Sequence, residues 1–245
     1  MSSEGKEKRE LSIRRATEFD IKFPDNKNLE GNEKNQIQKA ITDGAIAIGT
    51  KTFVDSKKVP KLLNTDKKGV QIVMNNAPKD DVKQYGDTDY LSTPHIQKEI
   101  AQRKEQPRPE LDREKLNYAS NCLEAFSGNS QLNKERNIEN DRIVKERSKI
   151  GAKVIKQRDS TVSEISGEPL NGDARVHHKN RVADKPEEAF DDDNLTVIKD
   201  NEHREFHSSN YTQDKEGYEE FVAEKINKGD MHPIGTTLFK WTRHR

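Results

Sequence analysis

Four of the seven histidines fall between positions 177 and 207, as the tandem pair His177-His178 and the pair His203 and His207. Asp193-Asn194 lies between the two pairs, with Asn194 16 residues after His178 and 9 before His203. Two imidazoles four residues apart on a helix share one face and can hold one metal ion. Neighbouring side chains on a strand point to opposite faces. One member of the tandem pair can therefore join the metal while the other turns towards a substrate. Three neutral imidazole nitrogens and an open coordination position make a catalytic arrangement rather than a closed structural one. The fourth imidazole is left over as a general base.

The elements around these residues are legible. Ala174 to His178 reads as a strand, and a loop carries the chain past Pro186 to a second strand over Asn194–Ile198. Asn201 is the expected N-cap of a helix running through His203 and His207 to about Ser209, with Glu202 in its first turn to suit the helix dipole. A further helix over 214–227 carries Tyr218, Phe221, Val222 and Ile226 on its apolar face, and Phe239 and Trp241 are expected to close the core.

Strand, loop with Asp-Asn, strand and His-x-x-x-His helix together resemble the ββα-metal nucleases of the HNH, or His-Me finger, superfamily. The likeness is closest to the nuclease domains of the DNase colicins and pyocins, and it covers about residues 160–215. The resemblance implies an α+β fold with a C-terminal ββα-metal nuclease domain. It implies His177, His203 and His207 as ligands of one divalent ion, either Mg or a transition metal such as Zn, Ni or Mn. It implies His178 as the general base and Asn194 as the residue fixing the loop and the base geometry. Arg175, Lys179 and Arg181 flank these positions and are candidates for holding substrate phosphates. The implied activity is metal-dependent endonucleolytic hydrolysis of DNA. The alternatives are a bacteriocin-like toxin neutralised by an immunity protein, or a non-catalytic nucleic-acid-binding module of the same fold. Two departures bear on the loops rather than the metal site. The Cys of the zinc knuckle that precedes the first strand in many HNH proteins is absent from Ser163-Glu164-Ile165-Ser166-Gly167. Asp184-Lys185-Pro186 replaces the Gly-Gly of the colicin loop.

Composition frames the rest. Of 245 residues, 36% are charged and 29% hydrophobic, and the mean hydropathy is −1.14. That is too polar for one large core, so small packed units joined by solvated or disordered segments are expected. The 44 basic and 44 acidic residues cancel, so net charge announces no partner. Locally, residues 134–158 hold nine basic and four acidic side chains. That run reads either as a solvated helix face or as a phosphate-contacting arm. The loop 184–193 is acidic, which simple DNA binding does not explain.

The single Cys122 excludes an intrachain disulfide and a Cys-ligated zinc knuckle. No apolar run has signal-peptide or membrane-span character, so a soluble protein made in the cytoplasm is expected; export without a cleavable signal would leave no trace. The expected organisation is a flexible tail over 1–35, a small α+β unit with connector over 36–108, a helical region over 109–150 and the nuclease domain over 151–245. Within this frame Gln36–Ile48 reads as a helix, Thr52–Val54 and Val70–Met74 as strands, 76–110 mostly as connector with a short helix near 95–105, and 109–128 and 132–150 as helices. Tyr118, Phe126, Phe221 and Trp241 are assigned to cores, and His95, His232 and His244 to the surface.

Overall fold

The computed structural model describes residues 13–227. The chain is α+β with small antiparallel sheets, and it divides into two compact units between Asn137 and Ile138. Among the described residues no helix is long and apolar enough to cross a membrane.

The first unit is built on a five-stranded antiparallel sheet: β1 (Ile13–Arg15), β2 (Ala45–Ile48), β3 (Lys51–Asp55), β4 (Val82–Tyr85) and β5 (Thr88–Ser92), in the order β1-β2-β3-β5-β4. Helices α1 (Gly31–Gly44), α2 (Val59–Leu62), α3 (Lys67–Asn76), α4 (Thr93–Glu105) and α5 (Glu110–Ser127) complete it. The expected helix from Gln36 begins earlier and stops at Gly44, because the chain turns straight into the β-rich run Ala45-Ile46-Ala47-Ile48. A side chain at Gly44 would meet the Lys58 side chain at 2.5 Å. α5 contributes Leu116, Tyr118, Ala119, Cys122, Leu123 and Phe126 to the core at helical spacing, and Gly128 follows its end. They pack with Ile41, Val54, Leu62, Leu91 and Ile96.

Four expectations for this half are corrected. The part of the supposed tail that is described, 13–35, is tied down. It supplies β1 and buries Ala16, Phe19 and Leu29, with Phe19 edge-on to Phe126 at 5.8 Å. The Tyr118 hydroxyl accepts from Gln38 and donates to the Pro24 carbonyl. Val70–Met74 is the middle of α3, not a strand. Asp66 caps the helix by accepting from the Gly69 N–H at 2.7 Å, and only Val70 and Val73 are buried while Ile72 is 62% exposed. Four apolar residues around Gln71 are too short a run to show a period, and the cap decided it. The presumed connector holds the β4–β5 hairpin, turned at Gly86 with φ +57. Val82-Lys83-Gln84-Tyr85 is an exposed edge strand with little apolar signal to read. His95 is not at the surface. It is 7% exposed on α4, its Nδ1 3.5 Å from Asp81.

The second unit begins within α6 (Ser130–Arg158), earlier than the expected boundary at 151 and longer than the expected helix over 132–150. A two-stranded hairpin follows, β6 (Ala174–His178) against β7 (Leu195–Lys199), with His177 opposite Thr196 and His178 opposite Leu195. α7 (Asp200–Ser208) leaves β7 without a loop, and α8 (Lys215–Asn227) closes the described chain. The period of two sorts the hairpin into two faces. Ala174, Val176, Leu195 and Val197 pack with Leu170, Ile150 and Val154 on the α6 side. Ile198 packs with Phe206, Tyr218, Phe221 and Val222 of α7 and α8. Phe239, Trp241, His232 and His244 lie outside the described residues.

Two consequences are measurable. A fragment starting at 138 keeps Ile143, Ile150 and Arg147, whereas one starting at 151 loses them. Burying one such isoleucine is worth ~1.5–3 kcal/mol, and 1 kcal/mol shifts a domain of this size by roughly 4–8 °C. Residues 138–245 should therefore melt cooperatively and 151–245 at least about 10 °C lower; equal melting temperatures would remove α6 from this unit. Cys122 is fully buried, which pushes its thiol up to about 11. It should resist a thiol reagent at pH 8 in the native chain and react stoichiometrically in denaturant, and fast native labelling would contradict the packing of α5.

Candidate metal centre

β6 and α7 bring three imidazoles together. His177 points to the α7 and α8 side of the hairpin, and His203 and His207 are one turn apart on α7. Ring centroids lie 5.3 Å apart for His177–His203, 5.3 Å for His177–His207 and 4.5 Å for His203–His207. One nitrogen from each ring lies within 4.8 Å of the other two. His177 is 4% exposed, edge-on to Phe206 and stacked on Tyr218 at 5.2 Å. His203 is half-buried and His207 exposed, so the cluster opens to solvent on one side.

Burial, then the neighbouring His203 and His207, pushes His177 down to about 3. Burial followed by His207 also lowers His203. His177 is thus neutral, with a lone pair to donate, throughout the physiological range. Its Nε2 is buried without a hydrogen-bond partner, and an orphaned buried nitrogen costs ~1–3 kcal/mol. A divalent cation satisfies it, so the donor set and the orphaned atom fit a metal ion.

The surroundings orient the ligands. His207 Nδ1 donates to Gln213 Oε1 at 2.5 Å, which leaves Nε2 for a metal; such outer partners set the tautomer. The Tyr218 hydroxyl donates to Thr196 Oγ1, and Thr196 donates to Glu164, which holds the ring stacked on His177. α7 starts at Asp200, with Lys199 rather than Asn201 in the capping position, because Glu202 Oε2 accepts from the Lys199 N–H at 2.8 Å. The same oxygen accepts from Ser163 Oγ at 2.6 Å, and Ser163 Oγ itself accepts from the Ile165 and Ser166 N–H groups. A hydroxyl–carboxylate pair thus ties the turn at Ser163 to α7.

His178 sits at the end of β6 on the opposite face, towards α6. Its Nε2 donates to the Ala189 carbonyl at 3.0 Å, leaving Nδ1 as the acceptor. Burial first, and the Arg147 guanidinium second, hold His178 below its ordinary range, against the pull of that hydrogen bond. Asn194, 3% exposed, staples the intervening loop. Its Oδ1 accepts from the Asn180 N–H at 2.7 Å, and its Nδ2 donates to the carbonyls of Asn180 and Glu188. The Glu188 carbonyl is one residue from the Ala189 carbonyl that holds His178. Asn180 completes the clamp through Glu188 and the Lys215 N–H.

The three flanking cations differ. Arg175 Nε donates to Asp200 at 2.6 Å, and Asp200 is shared with Arg204. Lys179 Nζ donates to the Asp193 carbonyl at 2.9 Å and is lowered by burial and then by Lys215. Arg181 is exposed, 3.7 Å from Asp184. Arg147 was visible only as one charge in a basic run. Gly151 of α6 faces Val176, with 4.0 Å from an ideal Cβ to Val176 Cγ2. One helical turn back lies Arg147, and two residues on in the strand lies His178. Arg147 lies near enough to His178 for its charge to help lower that imidazole. Nothing local in the sequence marks Gln213, Tyr218 or Ala189 for their roles.

Compared with known proteins, the chain matches no family model, no curated protein and no solved structure.

If His207 is a ligand, His207→Ala should abolish the rise in melting temperature that Zn²⁺ or Ni²⁺ produces, and in chelator it should melt like the parent, since the side chain is exposed. Binding to the native state alone adds ~2.7 kcal/mol at a hundredfold excess over Kd. Gln213→Leu should weaken the metal about tenfold. Equal losses with and without chelator would make His207 a packing residue.

Proposed function

We propose that this chain is a metal-dependent nuclease of the ββα-metal type, hydrolysing phosphodiester bonds, with DNA as the favoured substrate. The observation that carries the reading is the convergence of His177, His203 and His207 on one point while His178, the next residue in the strand, is clamped separately with one nitrogen free. A structural metal site would not need the second arrangement. The solvent-open side of the triad and the absence of a fourth His, Cys or acidic ligand among the described residues support an exchangeable position rather than a closed cage.

When bound, a divalent ion would supply charge stabilisation for the scissile phosphate and the departing oxygen. His178 does the proton chemistry. Held neutral by burial and by Arg147, it accepts a proton from water at Nδ1 while Nε2 stays on the Ala189 carbonyl, and the resulting hydroxide attacks phosphorus. Asn194 is a positioning residue that keeps the Glu188–Ala189 backbone against His178. Arg147, near His178 and with no ion pair among the described residues, would hold a phosphate oxygen. DNA over RNA rests on the resemblance to the DNase colicins.

The test is cleavage of supercoiled plasmid and of a labelled RNA, with and without chelator. The parent should cut the plasmid only with metal. His178→Ala should lose 10²- to 10⁴-fold in rate, about the value of general-base catalysis, while calorimetry finds its metal affinity intact. Chelator-insensitive cutting, or a His178→Ala protein that has lost metal, would overturn the assignment.

A further inference from the structure

The basic run 134–158 is not one surface, because the structure ties down three of its four arginines individually, and the fourth, Arg147, lies on the half of the helix turned to β6. Arg136 donates to the Thr50 and Ser127 carbonyls and to Asn133. Arg142 sits between Glu139 and Glu146 and over the Phe190 ring at 5.0 Å. Arg158 holds Glu164 and the carbonyls of Leu195 and Asp192. Lys145, Lys149, Lys153 and Lys156 are different. All four are exposed and form no ion pair or side-chain hydrogen bond among the described residues. Glu146, three residues before Lys149, is engaged by Arg142; Asp141, four residues before Lys145, is an acidic neighbour at the start of the stripe.

At 3.6 residues per turn these four lysines fall within an arc of about 80° along roughly 16 Å of α6. Between Lys145 and Lys156 no other residue falls in that arc; Ala152 and Glu146 lie about 20° outside its two edges. Ile143 and Val154, which are buried, and Ile150, Gly151 and Arg147 occupy the opposite half of the helix, the half turned to β6 and His178. The stripe therefore does not face the catalytic end of the hairpin.

We propose that Lys145, Lys149, Lys153 and Lys156 form an exosite for a nucleic-acid backbone, binding a segment other than the one being cut. The proposal rests on the nucleic-acid reading above for its occupant. The geometry favours a phosphate backbone over a membrane surface. Lysines one turn apart repeat every ~6 Å along the helix, and the arc lacks the bulky apolar side chains with which an amphipathic helix enters lipid. Because the stripe and His178 lie on opposite halves of α6, a short straight duplex at His178 does not reach it, whereas a long or folded polymer does. The exosite thus raises affinity for long substrates without entering the chemistry.

The experiment uses the full chain with Lys145→Gln, Lys149→Gln, Lys153→Gln and Lys156→Gln combined, and the same positions changed to Arg as a control. Binding to a long duplex is measured across a salt series in chelator, so that it does not depend on cutting. The Gln variant should flatten the log–log salt slope by about 3.6 units, since each of the four phosphate contacts contributes about 0.9. The Arg variant should retain the slope, and both should melt like the parent. With metal, the Gln variant should raise KM on plasmid with kcat unchanged, and should cut a duplex of about ten base pairs within about twofold of the parent. An unchanged slope overturns the exosite. Loss of binding to phosphatidylserine vesicles with DNA binding intact assigns the stripe to a membrane and also overturns it. A flattened slope in a protein that cuts nothing leaves the exosite standing and removes the nuclease reading instead.

Discussion

Burial of one neutral imidazole organises the second unit. His177 is enclosed by Phe206 and Tyr218 with its Nε2 unsatisfied, and enclosure keeps it unprotonated at any pH the protein meets in a cell. For that ring to be buried, β6 must lie against α7, and α7 must leave β7 without a loop so that its first two turns reach the hairpin face. The Glu202 cap and its bond from Ser163 fix that exit. Tyr218 brings α8 into the same packing through Thr196. The elements that bury His177 also bring His203 and His207 to it, so folding and assembly of the three-histidine cluster are one event.

The hairpin separates two jobs by its pleat. Odd positions of β6 face α7 and α8 and even positions face α6, so adjacent histidines enter unlike environments. One loses its contact with water to aromatic rings; the other keeps one nitrogen on a carbonyl. The separation depends on the loop between the strands staying where it is. Asn194 accomplishes this with three hydrogen bonds inside the fold, which leaves the loop's acidic side chains Asp191, Asp192 and Asp193 exposed at its rim. A buried amide of this kind serves through its geometry; an apolar substitute would take the partner from the Asn180 N–H and carbonyl, while the Glu188 carbonyl would still accept from the Asp191 N–H.

α6 shows how little a charge count says about charge in place. Nine basic side chains in one run resolve into arginines tied to carbonyls and carboxylates, one arginine beside His178, and lysines turned to solvent. Arginine's planar, multiply donating head suits fixed partners, whereas lysine's hydrated point charge on a flexible stem does not require one. The sequence lists the charges, but only the helix phase and the position of β6 say which of them meet.

The strand from Ala174 to His178, the second strand beginning beside Asn194, the helix bearing His203 and His207, and the helices after Pro109 follow from spacing and punctuation alone, because their periods are local and their caps lie within a few residues. The pairing of His177 with His203 and His207 was legible for the same reason: a tandem pair at a strand end and an i, i+4 pair on the next helix leave few ways to pack. Other features were decided at long range. Residues 13–30 are held through Phe126 and Tyr118, far along the chain. Val70–Met74 is helical because Asp66 caps it and only two of its apolar side chains find the core. His95 is buried because β5 and α4 close over it. Gln213, Tyr218, Ala189 and Arg147 acquire roles only from what stands opposite them. Local sequence determined which residues can do chemistry and which segments carry them; tertiary packing alone decided which nitrogen is dry, which is held and which charge stands beside it, since each of those is a property of a neighbour.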